Sequence, residues 1–483
     1  MSDRAQLQPS AVWKIFGAMS EIPRCSGNEA AVQSMFRRWA EERSLPVKED
    51  AVGNLLITIP ASPGHEGAEP LLIQGHVDMV CEKNAATKHD FQKDPIRLRV
   101  DGDWVAAEGT TLGADNGIGV AMGLALADDP DAVHGPVEVL LTVDEERGLT
   151  GASGIEPGFF TAKRMINLDS EEDDAIFVGC AGGRDTVLTM PLARGRAPRD
   201  PVGRQVAVTG LRGGHSGLDI HLGRGNAIKL LARALAAAAA ELDVRLVSFD
   251  GGSMRNAIPR EATARVLIAR RDGRAFKKLV DETLAGIQRE ELTGSDEGLA
   301  WKVSSFQAGP CFRRDDGRRA LDLLLALPNG VQGMSRSLEG LVETSTNVGV
   351  ARTESDGLRI VCCSRSSVMS ALAALVEQHR AVGVLAGARV EQPEGYPGWQ
   401  PNLDAHLLAV TREQYRRIFG SEAELKAIHA GLECGLLTVT TPGLEIVSFG
   451  PNIRGAHSPD ERVQISSVEK IWKLLKGVTA ELA

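Results

Sequence analysis

The segment LLIQGHVD, residues 71–78, decides the fold class, because an apolar run ends here in polar, chemically active side chains. Two later segments repeat this pattern: VEVLLTVDEE at 137–146 and MINLD at 165–169. A helical pattern at 116–126 lies between the first and the second. Alternating strands and helices predict an α/β fold, with a mostly parallel central sheet and helices on both faces. Ligands of such sheets gather beyond the carboxyl ends of the strands.

The residue pattern changes after about Gly183. Alternating polar and apolar residues at 204–209 and 262–270 predict antiparallel strands, and 226–242 and 275–291 predict helices. A proline and glycine cluster at 396–399 marks a return to the first domain. We therefore predict a catalytic domain formed by residues 1–184 and 394–483, with an inserted α+β domain at 185–393.

Composition excludes several classes of protein. The net charge of -10 argues against a nucleic-acid partner, because phosphate binding needs clustered Lys and Arg. The longest apolar run, Ala234–Ala240, is too short to span a membrane, and no signal peptide is expected. Seven cysteines occur without a CxxC pair. We expect reduced, mostly buried thiols and a cytoplasmic location.

Each candidate for chemistry has a plain structural alternative. Asp78 lies two residues after His76 and could orient that ring on a metal, but a surface histidine beside a turn aspartate is the alternative. Asp115 begins a helical pattern and could be an N-cap. A dinucleotide loop at 113–119 is disfavoured, because the glycine spacing is wrong and no strand precedes it directly.

The remaining candidates also follow strands or lie in loops. One of Glu145 and Glu146 could bind a metal while the other accepts a proton, although a solvated acidic turn is the alternative. Asp169 and His457 could equally be loop residues. Taken together, acids and histidines at strand ends and in neighbouring loops suit divalent metals such as zinc.

The motifs as a set are very specific. They are QGHVDMVCEK (74–83), EGTTLGADNGIG (108–119), TVDEERGLTGASG (142–154), INLDSEE (166–172), LRGGHSGLDIHLGRGNA (211–227), GGSMRNAIPREA (251–262), CSRSS (363–367), YPGWQP (396–401), HAGLECG (429–435) and SFGPNIRGAHSPDER (448–462). With these motifs the sequence resembles the zinc aminoacylase and dipeptidase clan, and within it the carnosinase-like aminoacyl-histidine dipeptidases, over nearly the whole chain.

The resemblance implies a metal-dependent dipeptidase acting on Xaa-His and related dipeptides. It also implies a role for each matched residue. His76 and Asp169 hold one divalent metal, Glu146 and His457 hold a second, and Asp115 bridges the two. Asp78 orients His76, and Glu145 is the general base. Zinc is the expected metal, with manganese and cobalt as alternatives.

The clan's inserted domain is a lid that forms a homodimer, so residues 185–393 are expected to do the same. By resemblance, His215 assists at the oxyanion, within its own chain or across the dimer. Arg365 is a candidate for the substrate carboxylate, because its planar fork suits a bidentate contact, and Asn256 could bind the same end. A broader exopeptidase or an N-acyl amino acid deacylase is the alternative function. Catalytically inactive scaffolds and NAD-dependent oxidoreductases fit the motifs less well.

Overall fold

The computed structural model describes residues 7–355 and 357–483, which divide into two compact units. The first unit contains the chain up to Gly179 together with Trp399–Ala427 and Leu432–Ala483. The second contains Cys180–Gly398 and Ile428–Gly431. Both units therefore combine segments that are distant in the sequence.

An eight-stranded sheet forms the centre of the first unit. Its strands, in spatial order, are Val47–Glu49, Leu55–Ile59, Val137–Thr142, Leu71–His76, Arg164–Asn167, Glu445–Ser448, Ala175–Cys180 and Glu424–Ile428. The four strands from 137–142 to 445–448 run parallel, and antiparallel pairs flank them. The predicted α/β class is confirmed. Strands 71–76 and 137–142 are buried throughout, as expected for a sheet covered on both faces.

Helices cover the sheet and supply most of the remaining core. They are Ser10–Ser20, Ala30–Glu41, Ala114–Ala125, Thr150–Ser153, His406–Phe419, Glu433–Thr440 and Ile465–Glu481. Helix 114–125 contains glycines because it packs unusually close to the sheet. A Cβ on Gly119 would lie 2.3 Å from the Leu168 carbonyl oxygen, and one on Gly123 would lie 3.0 Å from Ile73 Cγ2. A second, four-stranded sheet contains Leu98–Asp101, Trp104–Ala107, Ile453–Arg454 and Arg462–Gln464.

The second unit is the predicted α+β arrangement, with one large sheet backed by helices. In spatial order its strands are Ala300–Phe306, Pro201–Thr209, Ala262–Ala269, Arg245–Gly251, Val342–Glu354, Gly357–Ser366, Gly182–Pro191 and Arg389–Glu391, with Gly330–Met334 beside 342–354. The helices are Ala227–Glu241, Gly273–Glu290, Arg314–Ala326 and Met369–Leu385. Asn226 caps the first of these, because its side chain accepts hydrogen bonds from the Ile228 and Lys229 amides. Short strand pairs join Arg194–Gly195 to Cys311–Phe312 and Gly214–His215 to Ala257–Ile258.

The alanine-rich run at 234–240 lies within helix Ala227–Glu241, as predicted. Its buried residues include Ala234, Ala236 and Ala238, so the run packs in a protein core. Across residues 7–355 and 357–483, every helix is too short or too polar to cross a membrane.

The expectation of uniformly reduced cysteines is wrong at one pair. Cys25 and Cys81 form a disulfide, with their Cα atoms 5.7 Å apart. The other five cysteines are buried, as expected. The pair was not foreseen because its members are 56 residues apart and only a tertiary contact, the bridge between Cys25 and Met79, brings their segments together.

Candidate metal centre

The proposed ligands lie where the strands of the first unit end. His76 is the last residue of its strand, and Asp169 and Glu146 follow the two parallel neighbours of that strand. Asp115 lies in the first turn of helix 114–125. His457 lies in the turn between strands 453–454 and 462–464 and has a positive φ of 61°. A non-glycine residue in this region is uncommon and is found disproportionately at functional sites.

Three of these side chains form a first group around His76. Its Nε2 atom lies 3.1 Å from Asp115 Oδ1 and 3.4 Å from Asp169 Oδ1. His76 is 1% exposed, so this contact is shielded from water. The group contains one imidazole nitrogen and two carboxylate oxygens, all within 4.8 Å of one another.

A second group shares Asp115 with the first. The His457 Nε2 atom lies 3.1 Å from Asp115 Oδ2 and 3.0 Å from Glu146 Oε2. One oxygen of Asp115 therefore faces each group. Two divalent cations bridged by one carboxylate require this arrangement.

The donor atoms fit metal ions in both spacing and hydrogen bonding. Ligands about 2.0–2.1 Å from a tetrahedral zinc lie about 3.3 Å from one another, close to the separations in both groups. Glu146 Oε1 and Asp169 Oδ1 are buried and have no hydrogen-bond partner among the described residues. Buried oxygens of this kind normally have partners, so a cation is the ligand that they suit.

The electrostatics of the cluster also favour added positive charge. Burial lowers the pKa of His76, but Asp169 and Asp115 raise it well above its ordinary value. Hydrogen bonds with Asp115 and Glu146 raise the pKa of His457 to about 11. Burial, and then the charges of nearby carboxylates, raise the pKa of Asp169 to about 6. These pKa shifts reflect an excess of negative charge, which bound divalent cations would neutralise.

Asp78 joins the first group to the Glu145–Glu146 turn. Its Oδ1 lies 3.3 Å from His76 Nδ1, and its carboxylate accepts hydrogen bonds from Ser26 Oγ at 2.7 Å and from the Glu145 and Glu146 amides at 3.1 and 3.2 Å. Burial alone would raise the pKa of Asp78, but the contacts with His76 and Ser26 lower it to about 2. Asp78 is therefore ionised and can orient the His76 ring.

Glu145 belongs to neither of these two groups, but one of its carboxylate oxygens lies within 4.8 Å of ligand atoms of His76 and Glu146. Burial raises the pKa of Glu145 well above its ordinary value, and the negative charges of Asp169, Glu433 and Glu146 add to the shift, while His76 opposes it. A carboxylate with a raised pKa accepts and returns a proton more readily near neutral pH.

His215 lies in the second unit, on the short strand Gly214–His215. Its Nδ1 atom accepts hydrogen bonds from the Gly217 and Leu218 amides at 3.3 and 3.1 Å. Burial, and then the charge of Arg365, lower the pKa of His215. A neutral ring that accepts at Nδ1 carries its proton on Nε2, so His215 presents a hydrogen-bond donor.

Arg365 lies close to His215 and pairs with no carboxylate of residues 7–355 and 357–483. A Cβ on Gly217 would lie 3.1 Å from His215 Cε1 and 3.3 Å from Arg365 Nε. Arg365 is 6% exposed, donates to the Tyr396 hydroxyl at 2.8 Å, and has a buried Nε atom without a partner among the described residues. Such a cation suits an anionic ligand. Asn256 is half-buried, and its backbone carbonyl oxygen accepts a hydrogen bond from the Ser216 amide.

The sequence model of Peptidase family M20/M25/M40 matches residues 72–481. The chain belongs to this family. This match confirms the predicted family and the prediction of a peptidase-class hydrolase. The matched span of this M20 peptidase includes all five proposed ligands as well as His215 and Arg365.

Relatives cover the whole of this M20 peptidase. The cytosol non-specific dipeptidase of Escherichia coli (strain K12) is 44% identical over 483 residues, covering 100% of this chain and 99% of the relative. The crystal structure of aminoacylhistidine dipeptidase from Vibrio alginolyticus is similar with a TM-score of 0.94 at 41% identity, covering 100% and 99%. The crystal structure of aminopeptidase PepT from Bacillus cereus ATCC 10987, with a TM-score of 0.56 at 15% identity and 99% coverage of each chain, shares the fold.

Glu461 is a site residue of the M20 peptidase that the sequence analysis missed. Its carboxylate accepts hydrogen bonds from four successive amides, those of residues 112–115, at 2.7–3.3 Å. The Glu461 side chain is 2% exposed, so water does not compete for these hydrogen bonds. Through them, a residue near the end of the chain fixes the start of the helix that carries Asp115. It lies within the quoted stretch 448–462, from which the sequence analysis took only His457 as a candidate.

Arg24 was also missed, and it lies outside every motif that the sequence analysis quoted. Its guanidinium donates to the carbonyl oxygens of Val77, Asp78 and Gly113 at 2.9, 3.0 and 2.5 Å. Burial lowers the pKa of Arg24 to about 10, and the surrounding carboxylates keep it a cation. Arg24 thus joins the loops that carry His76 and Asp115.

Glu433 anchors a buried chain of polar side chains beneath the cluster. Its Oε2 atom accepts from Gln74 at 2.6 Å and from Thr142 at 2.7 Å. Gln74 accepts in turn from Asn167 at 2.7 Å, and Asn167 accepts from Ser448 at 2.6 Å. Burial raises the pKa of Glu433 to about 7. The chain of hydrogen bonds crosses the four parallel strands and sets their ends relative to one another.

Replacing Glu461 with glutamine should weaken the support of the Asp115 turn. The amide would place N–H donors against backbone N–H donors and remove the charge that strengthens four hydrogen bonds. We expect the free energy of unfolding to fall by about 1.5–3 kcal/mol and the affinity for zinc to fall as well. Urea denaturation and competition with a chelator measure the two effects. Asp460→Asn, an exposed neighbour, is the matched control, and equal results for both variants would contradict this role.

Proposed function

We propose that this protein is a metal-dependent dipeptidase that hydrolyses Xaa-His and related short dipeptides, including β-alanyl-histidine. The observation that carries the proposal is the pair of ligand groups sharing Asp115, with Glu145 beside them. The names of the two full-length relatives, a non-specific dipeptidase and an aminoacylhistidine dipeptidase, support the substrate class. The word cytosol in the first name supports a cytoplasmic location.

Two divalent cations would be held by side chains of this chain. His76, Asp115 and Asp169 would hold one, and Asp115, Glu146 and His457 the other. When bound, the cations polarise the scissile carbonyl and lower the pKa of a water molecule. The mixture of imidazole and carboxylate ligands suits zinc best, and manganese and cobalt accept it too.

The chain's own residues handle the proton. Glu145 accepts a proton from the attacking water and passes it to the leaving amine, a role to which its raised pKa is suited. Asp78 keeps the His76 ring in the orientation that presents Nε2 to the metal. The contacts of Asp78 and the raised pKa of Glu145 support these two roles.

Residues of the second unit would recognise the rest of the substrate. His215, with its proton on Nε2, would donate to the oxyanion as the tetrahedral intermediate forms. Arg365 would bind the substrate carboxylate, for which its guanidinium is suited because Nε has no partner among the described residues, and Asn256 would bind the same end. We further propose that residues 185–393 act as a lid and form a homodimer, as the resemblance implies.

Substrate profiling tests the proposed function. The zinc-loaded protein should release histidine from β-alanyl-histidine and alanyl-histidine, and a chelator should abolish the activity, because it removes the cations that polarise the carbonyl. Readdition of zinc should restore it. N-acetyl amino acids and larger peptides are the comparison substrates. Faster hydrolysis of acetyl amino acids than of any dipeptide would assign the protein to the deacylases.

Glu145→Gln and Glu146→Gln should impair different functions: the first should impair proton transfer and the second metal binding. The first keeps the shape of the side chain but removes the proton acceptor, so turnover should fall by about 100-fold or more with two metals still bound. The second should reduce the metal content, because Glu146 Oε2 belongs to the second ligand group. Elemental analysis and steady-state kinetics separate the two outcomes. Near-normal turnover of Glu145→Gln would contradict the general-base role.

A mixed dimer tests whether His215 acts within its own chain or across the dimer. One subunit carries His215→Ala and the other carries Glu145→Gln. If His215 serves the partner's site, one site of each hybrid has an intact Glu145 and receives an intact histidine, so the purified hybrid should reach about half of wild-type activity. If His215 acts within one chain, both sites are damaged and no activity returns. Light scattering that finds only monomer at micromolar concentration would contradict the homodimer.

A further inference from the structure

We propose that the exposed face of the four-stranded sheet in the first unit binds a small anion that carries two or three phosphate groups. The cations that would hold this anion are Arg99, Arg454 and Arg462, here called the arginine row. None of the three belongs to the metal centre or to the proposed recognition of a dipeptide. The inference therefore goes beyond the proposed function and does not depend on it.

The register of the sheet places the three arginines in one line. Arg454 is the direct partner of Arg462, Arg462 is the partner of Ala106, and Ala106 is the partner of Arg99. Directly paired residues of neighbouring strands project from the same face of a sheet. All three arginines are exposed. The apolar side chains that alternate with them in these strands are buried, namely Leu98, Ile453 and Val463. The arginine row thus crosses all four strands on the solvent side.

A cavity of about 580 Å³ lies against this row. The small side chain of Ala106 leaves room between Arg462 and Arg99. Trp104 also lines the cavity, and the Arg462 guanidinium carbon lies 4.9 Å from the centroid of its ring. Cavities of about 300–1,000 Å³ are the size that binds small molecules in other proteins. The arginine row therefore borders a space that a small ligand fits.

The arginines of the row are poorly compensated by acidic side chains. Within residues 7–355 and 357–483, no carboxylate lies within ion-pair distance of Arg454 or Arg462, and Arg99 comes no closer than 3.9 Å to Asp101. Asp101 and Asp460 also line the cavity, so three cations face two carboxylates there. Like charges directly opposite each other on neighbouring strands destabilise a sheet. An anion between Arg454 and Arg462 would relieve that repulsion.

Exposed arginines elsewhere in the first unit show the contrast. Arg412 pairs with Glu422 at 3.5 Å, and Arg416 pairs with Glu413 at 2.6 Å. A single hydrated arginine on a surface needs no ligand. Three that are aligned across one sheet, beside a cavity and without close carboxylate partners, favour an anion as their counter-ion.

The spacing of the row favours phosphate groups over a single carboxylate. The planar guanidinium fork matches phosphate oxygens in a bidentate contact. Neighbouring strands lie about 4.8 Å apart, so Arg454 and Arg462 can hold one phosphate group together. Arg99 stands two strands beyond Arg462, about 10 Å away at the backbone, and its long side chain can reach a second group. Inorganic polyphosphate and the phosphate chain of a nucleotide share this chemistry.

The proposed site borders the turn that carries His457. Arg454 and Arg462 are paired at the base of this turn, on the two strands that enter and leave it. A ligand held by both arginines would thus link the two ends of the turn. Because neither arginine is a proposed metal ligand, replacing them should leave the metal content unchanged.

Calorimetry with sodium tripolyphosphate and with ATP tests the inference on the zinc-loaded protein. Arg454→Gln/Arg462→Gln should bind both anions at least about 10-fold more weakly than the wild type, because it loses charge-assisted hydrogen bonds. Elemental analysis should find the same zinc content in both proteins. Arg412→Gln/Arg416→Gln is the matched control, because it removes two exposed charges from paired arginines of the same unit. The control should bind like the wild type.

Arg99→Gln tests the second phosphate position. This variant should bind tripolyphosphate about 10-fold more weakly and should bind inorganic phosphate, which Arg454 and Arg462 hold together, almost as well as the wild type does. Equal weakening for both ligands would contradict the assignment of Arg99 to a second group.

The two anions identify the source of the phosphate groups. Tighter binding of ATP than of tripolyphosphate would identify a nucleotide as the ligand, and equal binding would identify the phosphate chain alone. Equal affinity of the wild type and Arg454→Gln/Arg462→Gln would place the anion elsewhere, at the metal centre for example, and overturn the proposal. Loss of affinity in the control as well would show a response to net charge only and would also overturn it. Absence of saturable binding at millimolar concentration would do the same.

Discussion

The Asp115 carboxylate contacts two histidines that stand near opposite ends of the chain, at 3.1 Å from His76 and 3.1 Å from His457. The elements of the first unit are arranged so that their ends meet at this shared contact. Glu146 and Asp169 bring two further carboxylates within 3.4 Å of the same histidines. So many buried negative charges repel one another unless cations compensate them. A pair of divalent cations is the compensation that the donor atoms and their spacing suit.

The scaffold must hold this cluster together against that repulsion. Parallel strands bring His76, Glu146 and Asp169 to one edge of the sheet, and the chain of hydrogen bonds from Glu433 to Ser448 sets the strand ends relative to one another. Glu461 and Arg24 secure the helix start at Asp115 from two distant segments. Rigid support of this kind is what positions ligands to within a few tenths of an ångström.

Arg365 of the second unit is a buried cation that pairs with no carboxylate among the described residues. Burying a charged group without a counter-ion costs free energy, so an anionic ligand is what this side chain suits.

The sequence by itself determined the fold class, the strands that carry the candidate residues and the family. It could do so because buried parallel strands appear as apolar runs, and functional side chains follow directly after them, as in 71–78 and 137–146. The five ligands could be proposed from those positions together with the resemblance. Only the tertiary structure decided which side chains hold them in place. The contacts of Arg24 with Gly113 and of Glu461 with residues 112–115, and the disulfide between Cys25 and Cys81, join segments with no shared periodicity. Local patterns record which face of an element is buried, whereas partners distant in the chain are set by how the elements pack.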